Sequence, residues 1–162
     1  MDRYLQHAAA LNVKFANAQV AELTAEQMVA QPSPNATMNH PAWVLGHLCV
    51  YNSVSSKLLG GEALCPEAWE TTFGMGSTPQ PSADAYPSKQ TLLDTFASST
   101  TSAMDALLSA SEDALQQPAP EVMRDFFPTV GDYVLYDLTA HVGFHLGQLS
   151  AWRRAMGLPS LF

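Results

Sequence analysis

His141 and His145 lie four residues apart, and that spacing is the first in the chain that can do chemistry. An α-helix turns by about 100° per residue, so these two rings project from the same face one turn apart. Two imidazoles held in that way can bind one divalent ion. A third histidine, His47, sits in a separate apolar stretch that also has helical spacing. Three neutral imidazoles suit zinc, nickel or another late divalent ion, and they leave one coordination position open. The competing reading is a hydrogen-bonded core cluster. Two unpaired imidazoles buried together would cost free energy, which makes that alternative harder to build. From spacing alone, a metal site and a metal-free buried polar cluster both stand.

Two other metal chemistries are excluded. Val142 follows His141, so the HExxH signature with its built-in base is absent. No Glu-x-x-His pair occurs, so a carboxylate-bridged di-iron centre has no ligands.

The elements that must carry these rings are helices. The chain contains no isoleucine and no alternating apolar run of the kind a strand needs. Four helical stretches are predicted. The first spans about residues 2–28, with Tyr4, Ala8, Leu11, Phe15 and Ala18 as its apolar stripe, and Pro32 and Pro34 break the chain after it. The second spans about 39–59, with Asn39 as N-cap, Pro41 in the first turn and Gly60-Gly61 at its end. The third spans about 88–117, capped by Ser88 and closed by Pro118 and Pro120. Its inner face reads Leu93, Phe96, Thr100, Ala103, Leu107, Ala110 and Ala114. The fourth spans about 129–156, with Arg153 and Arg154 in its last turn, where the helix dipole favours cations.

Facing follows from position. Val130, Val134, Leu138, His145, Gln148, Trp152 and Met156 fall within about 60° of His141. Asp132, Tyr136, Thr139, Gly143, Gly147, Ser150 and Arg154 lie on the other side. On the second helix His40, Trp43, Val44, Tyr51, Val54 and Leu58 share the face of His47. Cys49 points about 160° away and is a poor ligand.

The connection over residues 60–87 is long and rich in Gly, Pro and Ser. It can return along the whole molecule, which allows helices two and three to run parallel. The fold class expected is all-α: one four-helix bundle domain over 1–162, in up-down-down-up order, with a long crossover between helices two and three. Trp69, Phe73 and Tyr86 suggest that this crossover packs on the bundle, over the site.

The 162 residues fit one domain with a core of its own. Asp plus Glu outnumber Lys plus Arg by 15 to 7, and the formal charge is −8. Such a surface repels phosphate backbones and anionic lipid, so neither nucleic acid nor a membrane is an expected partner. Cys49 and Cys65 have no paired spacing and read as reduced thiols. With no signal core at residues 1–7 and no apolar run near 20 residues, a cytoplasmic location is expected.

Two stretches together resemble the DinB-like superfamily of metal-binding four-helix bundles. One is Asn39-His40-Pro41-Ala42-Trp43-Val44-Leu45-Gly46-His47-Leu48. The other is His141-Val142-Gly143-Phe144-His145-Leu146-Gly147-Gln148-Leu149, continuing through Trp152-Arg153-Arg154 to Gly157-Leu158-Pro159. The resemblance implies that His47, His141 and His145 ligate one divalent ion. Some members resemble thiol-dependent transferases or isomerases, in which a low-molecular-weight thiol takes the open metal position. The implied function is a metal-dependent, thiol-using transferase or related enzyme on a small-molecule substrate. The alternative is a non-catalytic bundle, either stapled by its metal or acting as a stress-response binding module. The family has no universal acid or base to carry over.

Other residues near the site admit several roles. His40 is about 10 Å along the helix from His47, too far to share its ion, and reads as a helix-start or pocket-rim residue. Asp137 lies about 40° from His141 on the helical wheel. It can orient a ligand imidazole, act as a base or become a fourth ligand; the alternative is a boundary residue paired with an arginine. Gln148 can support a ligand, and Tyr51 can donate a proton in the pocket; either can instead be a packing residue with a polar tip. His7 receives no role. The small residues Gly143, Gly147, Ser150 and Ala151 permit close helix approach, and with the resemblance they point to a homodimer.

Overall fold

The computed structural model describes residues 2–35, 37–159 and 161. They are all-helical, and among the described residues there is no strand. Four long helical stretches dominate: α1 (Asp2–Val20), α3 (Pro41–Leu58), α5 (Lys89–Ser109), and a continuous stretch made of α7 (Val130–Tyr136), a π-helical turn (Asp137–His141) and α8 (Val142–Ala155). Short helices α2 (Ala25–Met28), α4 (Trp69–Phe73) and α6 (Glu112–Leu115) lie in the connections. Contacts run from α1 to α5, α5 to α3, α3 to α8, and α8 back to α1.

The helix at the centre is α3. Every residue from Pro41 to Val50 is buried, because α5, α4 and α8 each cover part of it. The side expected to lie opposite His47 is therefore no solvent face: Leu45 and Ser56 are fully buried, and Asn52 donates to Thr100 Oγ1 at 2.9 Å. The expected facing of the fourth helix holds on its outer side, where Asp132, Tyr136, Gly143, Gly147 and Arg154 are exposed.

Several boundaries differ from those expected. The first stretch is two helices. After Val20 the chain turns, and Thr24 restarts it with a capping box in which Thr24 Oγ1 accepts from Gln27 N and Gln27 Oε1 accepts from Thr24 N. The apolar stripe of α1 also sits one residue on, at Ala9, Ala16 and Val20, while Tyr4 and Ala8 are exposed. Alanines surround most of this helix, so its phase is weakly set. On the second helix His40, not Asn39, is the N-cap: its Nδ1 accepts from Trp43 N at 3.2 Å. The third helix stops at Ser109, because Ala110 is extended and Ser111 caps α6.

The C-terminus of α1 has no basic residue of its own in the last turn. Two cations from other helices supply its exposed carbonyls. Lys89 Nζ donates to the carbonyls of Val20, Ala21 and Leu23 at 3.2, 2.9 and 2.7 Å. Arg153 donates to Gln19 O at 2.6 Å and pairs with Glu22 at 2.6 Å. That makes Arg153 a buried clamp between α1 and α8, whereas Arg154 is exposed as a dipole-facing cation should be.

Candidate metal centre

The site face of α3 is fastened to the crossover by a hydrogen bond at each successive turn. His40 Nε2–H donates to Gln80 O at 2.9 Å. Trp43 Nε1 donates to Ser77 Oγ at 2.9 Å. His47 Nδ1–H donates to Phe73 O at 2.7 Å. Tyr51 Oη accepts from Met75 N at 3.1 Å. Residues 73–80 therefore run along the site, as the aromatic content of the crossover suggested. The ring of Trp43 stacks on His47 with centroids 4.5 Å apart.

Gly46 makes this seating possible. The fully buried Phe73 ring lies directly on its Cα, and a Cβ there would overlap the ring. Alanine ordinarily stabilises a helix interior by about 0.8–1 kcal/mol over glycine. Gly46→Ala should instead destabilise by about 1–3 kcal/mol, the usual range for overpacking, because Phe73 must move and take with it the carbonyl that holds His47. Urea unfolding of the two proteins reads the sign. A more stable variant would show that Phe73 is not seated on Gly46.

Three Nε2 atoms converge beside this face. His47 Nε2 lies 3.3 Å from His141 Nε2, and His145 Nε2 lies 3.0 Å from the same atom. The ligand atoms of all three histidines lie within 4.8 Å of one another. Two nitrogens bound tetrahedrally at about 2.0–2.1 Å from zinc are about 3.3–3.4 Å apart, so the spacing fits such an ion after sub-ångström adjustment.

The opposite ring nitrogens decide what the cluster is. His47 Nδ1 faces a carbonyl, which can only accept, so it carries the proton. His145 Nδ1 lies 3.0 Å from Gln148 Oε1, which also accepts from Asn39 Nδ2 at 3.2 Å. His141 Nδ1 lies 2.8 Å from Asp137 Oδ1, a close polar contact without hydrogen-bond geometry. His47 and His145 therefore carry a proton on Nδ1 and turn an Nε2 lone pair toward His141 Nε2. Ring nitrogens at this distance repel unless a proton or a metal cation lies among them. Burial also keeps the rings neutral. It holds His47 down at about 4 against the opposing Phe73 hydrogen bond, and His145 down at about 3 with help from the neighbouring imidazoles.

A family model of the DinB superfamily matches residues 14–149, which include all three histidines. This chain belongs to the DinB superfamily. Comparison with curated proteins and with solved structures gives no match. Among the described residues of this DinB-superfamily chain, no helix is long and apolar enough to cross a membrane.

The structure places the other candidate residues as follows. His40 is fully buried, caps α3 and does not reach the cluster, consistent with a helix-start role. Gln148 holds His145. Tyr51 stacks obliquely on His47 at 4.6 Å between centroids and lies 5.4 Å from the His141 ring. Cys49 points away, toward the Leu92 carbonyl. His7 is exposed. Asp137 is not a boundary residue with an arginine: it is 2% exposed and lies between His141 and Ser55, whose Oγ donates to Asp137 Oδ2 at 2.6 Å.

Four participants were missed in the sequence: Gly46, Ser55, the carbonyl of Phe73, and Asn39 as a partner of Gln148. A glycine inside an otherwise sound helical stretch was the available signal for the first. The carbonyl of Phe73 had none, because a backbone group leaves no trace in residue identity. His141 also departs from the expected centre of the buried stripe. Its side chain is 14% exposed, and the fully packed position beside it is Val142. The π-helical turn at Asp137–His141 lies just where the site begins, a frequent location for such turns.

Proposed function

We propose that this DinB-superfamily chain is a metal-dependent enzyme that uses a small thiol to transform a small electrophilic substrate. The observation that carries this reading is the convergence of three Nε2 atoms, with the Nδ1 of His47 and of His145 hydrogen-bonded elsewhere and that of His141 set against Asp137. His47, His141 and His145 would hold one late divalent ion, zinc or nickel in the first instance. Bound there, the ion supplies a Lewis-acid position at which a thiol or water becomes anionic near neutral pH. The rest of the proposal concerns the protein's own groups. Phe73 O, Gln148 and Asp137 stand behind the three rings and orient them.

Tyr51 is the proton donor in this reading. Burial raises its hydroxyl above the usual range, so it stays protonated at neutral pH. Its oxygen already accepts from Met75 N, and its own hydrogen is left for a substrate atom. The half-exposed Tyr136 and the exposed Phe144 stand beside His141 and His145, with centroids 6.0 and 5.7 Å away. An uncharged aromatic border favours a neutral or apolar substrate over a phosphorylated one. Our reading includes a single four-helix bundle domain in up-down-down-up order, a cytoplasmic location and a homodimeric assembly.

The rival reading is a closed metal site that only staples the fold. It needs a fourth protein ligand, Asp137 or another side chain. Both Asp137 oxygens are engaged, one at His141 Nδ1 and one at Ser55 Oγ, so that candidate is spent on orientation. Cobalt substitution tests the choice. Titration with small cellular thiols should raise a thiolate-to-metal charge-transfer band that saturates at one thiol per site and is absent in His141→Ala. Cobalt spectra that no thiol changes would remove thiol chemistry from the proposal.

A further inference from the structure

Ser55 is a fully buried serine in the middle of α3. Serines inside helices commonly turn back to the carbonyl one turn earlier. Ser98 and Ser109 on α5 do so, bonding to Asp94 O and Asp105 O at 2.9 and 2.7 Å. Ser55 instead reaches across to another helix, where its hydroxyl donates to Asp137 Oδ2 at 2.6 Å. The other oxygen of the same carboxylate lies 2.8 Å from His141 Nδ1. Ser55 thus holds one oxygen of the carboxylate while the other faces the His141 ring.

We infer that Ser55 is a positioning residue for the metal centre, acting through Asp137 to fix the orientation and ligand strength of His141. This rests on the metal reading given above. Asp137 is 2% exposed, so water does not replace a lost partner easily. Without the Ser55 hydroxyl, Oδ2 is an unsatisfied oxygen in a packed interior. The cheapest relief is rotation of the carboxylate away from its present place between the two helices. That rotation withdraws Oδ1 from His141 Nδ1 and loosens the ring that is already the most exposed of the three ligands. Ser55 thereby keeps Asp137 at the back of an imidazole.

The test is a double-mutant cycle read by zinc affinity, with zinc ion alone as the probe in competition with a chromophoric chelator. The d–d spectrum of cobalt-loaded protein gives a second readout. Ser55→Ala should weaken zinc by about ten- to hundred-fold, the range found when partners behind metal-bound histidines are removed, and should shift the cobalt bands. Ser56→Ala, which deletes an equally buried hydroxyl bonded to Ser102 at 3.1 Å, should leave affinity within about two-fold. Asp137→Asn should weaken zinc by at least as much as Ser55→Ala. In that background Ser55→Ala should add less than about two-fold, because the group it acts through has already changed. Independent, additive losses would overturn the inference, as would equal affinities for Ser55→Ala and Ser56→Ala. A wild-type chain that takes up no zinc or cobalt fails the metal reading itself, and the inference falls with it.

Discussion

Replacing His47, His141 or His145 with alanine should remove most of the metal from the protein. Each ring supplies one of three convergent Nε2 atoms, and no other candidate ligand lies among them within the described residues. Losing a ligand must cost more than losing the group behind a ligand, which is worth about ten- to hundred-fold. The expected loss of zinc affinity is therefore greater than about a hundred-fold for each variant. Metal content should be measured on protein purified without a nickel column, alongside affinity by chelator competition. His7→Ala should match wild type. His40→Ala should keep full stoichiometry but melt earlier, since losing a helix cap costs about 0.5–2 kcal/mol and the tie to Gln80 goes too. If His40→Ala emptied the site and His47→Ala spared it, the geometry of α3 described here would be wrong.

The three histidines were legible because their helices are long and their facing follows from position alone. A spacing of four on one helix and a single ring on another needed only the helical period. Ser88 was equally legible as a cap, since the side-chain chemistry of an N-cap is local. Other features depended on partners distant in sequence. Nothing near Lys89 or Arg153 says that each will close the carbonyl end of α1, because that end is created by a break in another segment. His40 as a cap was hidden by Asn39 beside it, the residue type with the stronger capping preference. Asn39 is used elsewhere, on Gln148.

Asp137 shows the limit most clearly. Its place on the helical wheel allowed an orienting role, a base or a fourth ligand, and the wheel had no means of choosing. The choice is made by Ser55, on a different helix and 82 residues away in the chain.

Stability should respond strongly to metal and to pH, in ways that check each other. A site formed only in the native state couples metal binding to folding. Zinc held at a hundred times its dissociation constant should add about 2.7 kcal/mol. For a chain of this size, that raises the melting temperature by about 5–10 °C. Without metal, the buried rings impose their own slope. Unfolded histidines take up protons below about pH 6.5, whereas His47 and His145 in the native protein resist until about 4 and about 3. Burial lowers His40 in the same direction. Between those limits the unfolded chain binds more protons, so stability must fall as the pH falls, by about 1.4 kcal/mol per pH unit for each proton not matched in the native state. The loss begins near pH 6.5 and is complete only below the native values. Melting curves in EDTA and in excess zinc, taken at pH 7.5, 6.5 and 5.5, separate the two effects. Identical melting temperatures with EDTA and with zinc at pH 7.5 would remove the metal centre. A metal-free melting temperature that stays flat from pH 6.5 to 5.5 would mean the rings are not held neutral by burial, and the convergent lone pairs would lose their physical basis.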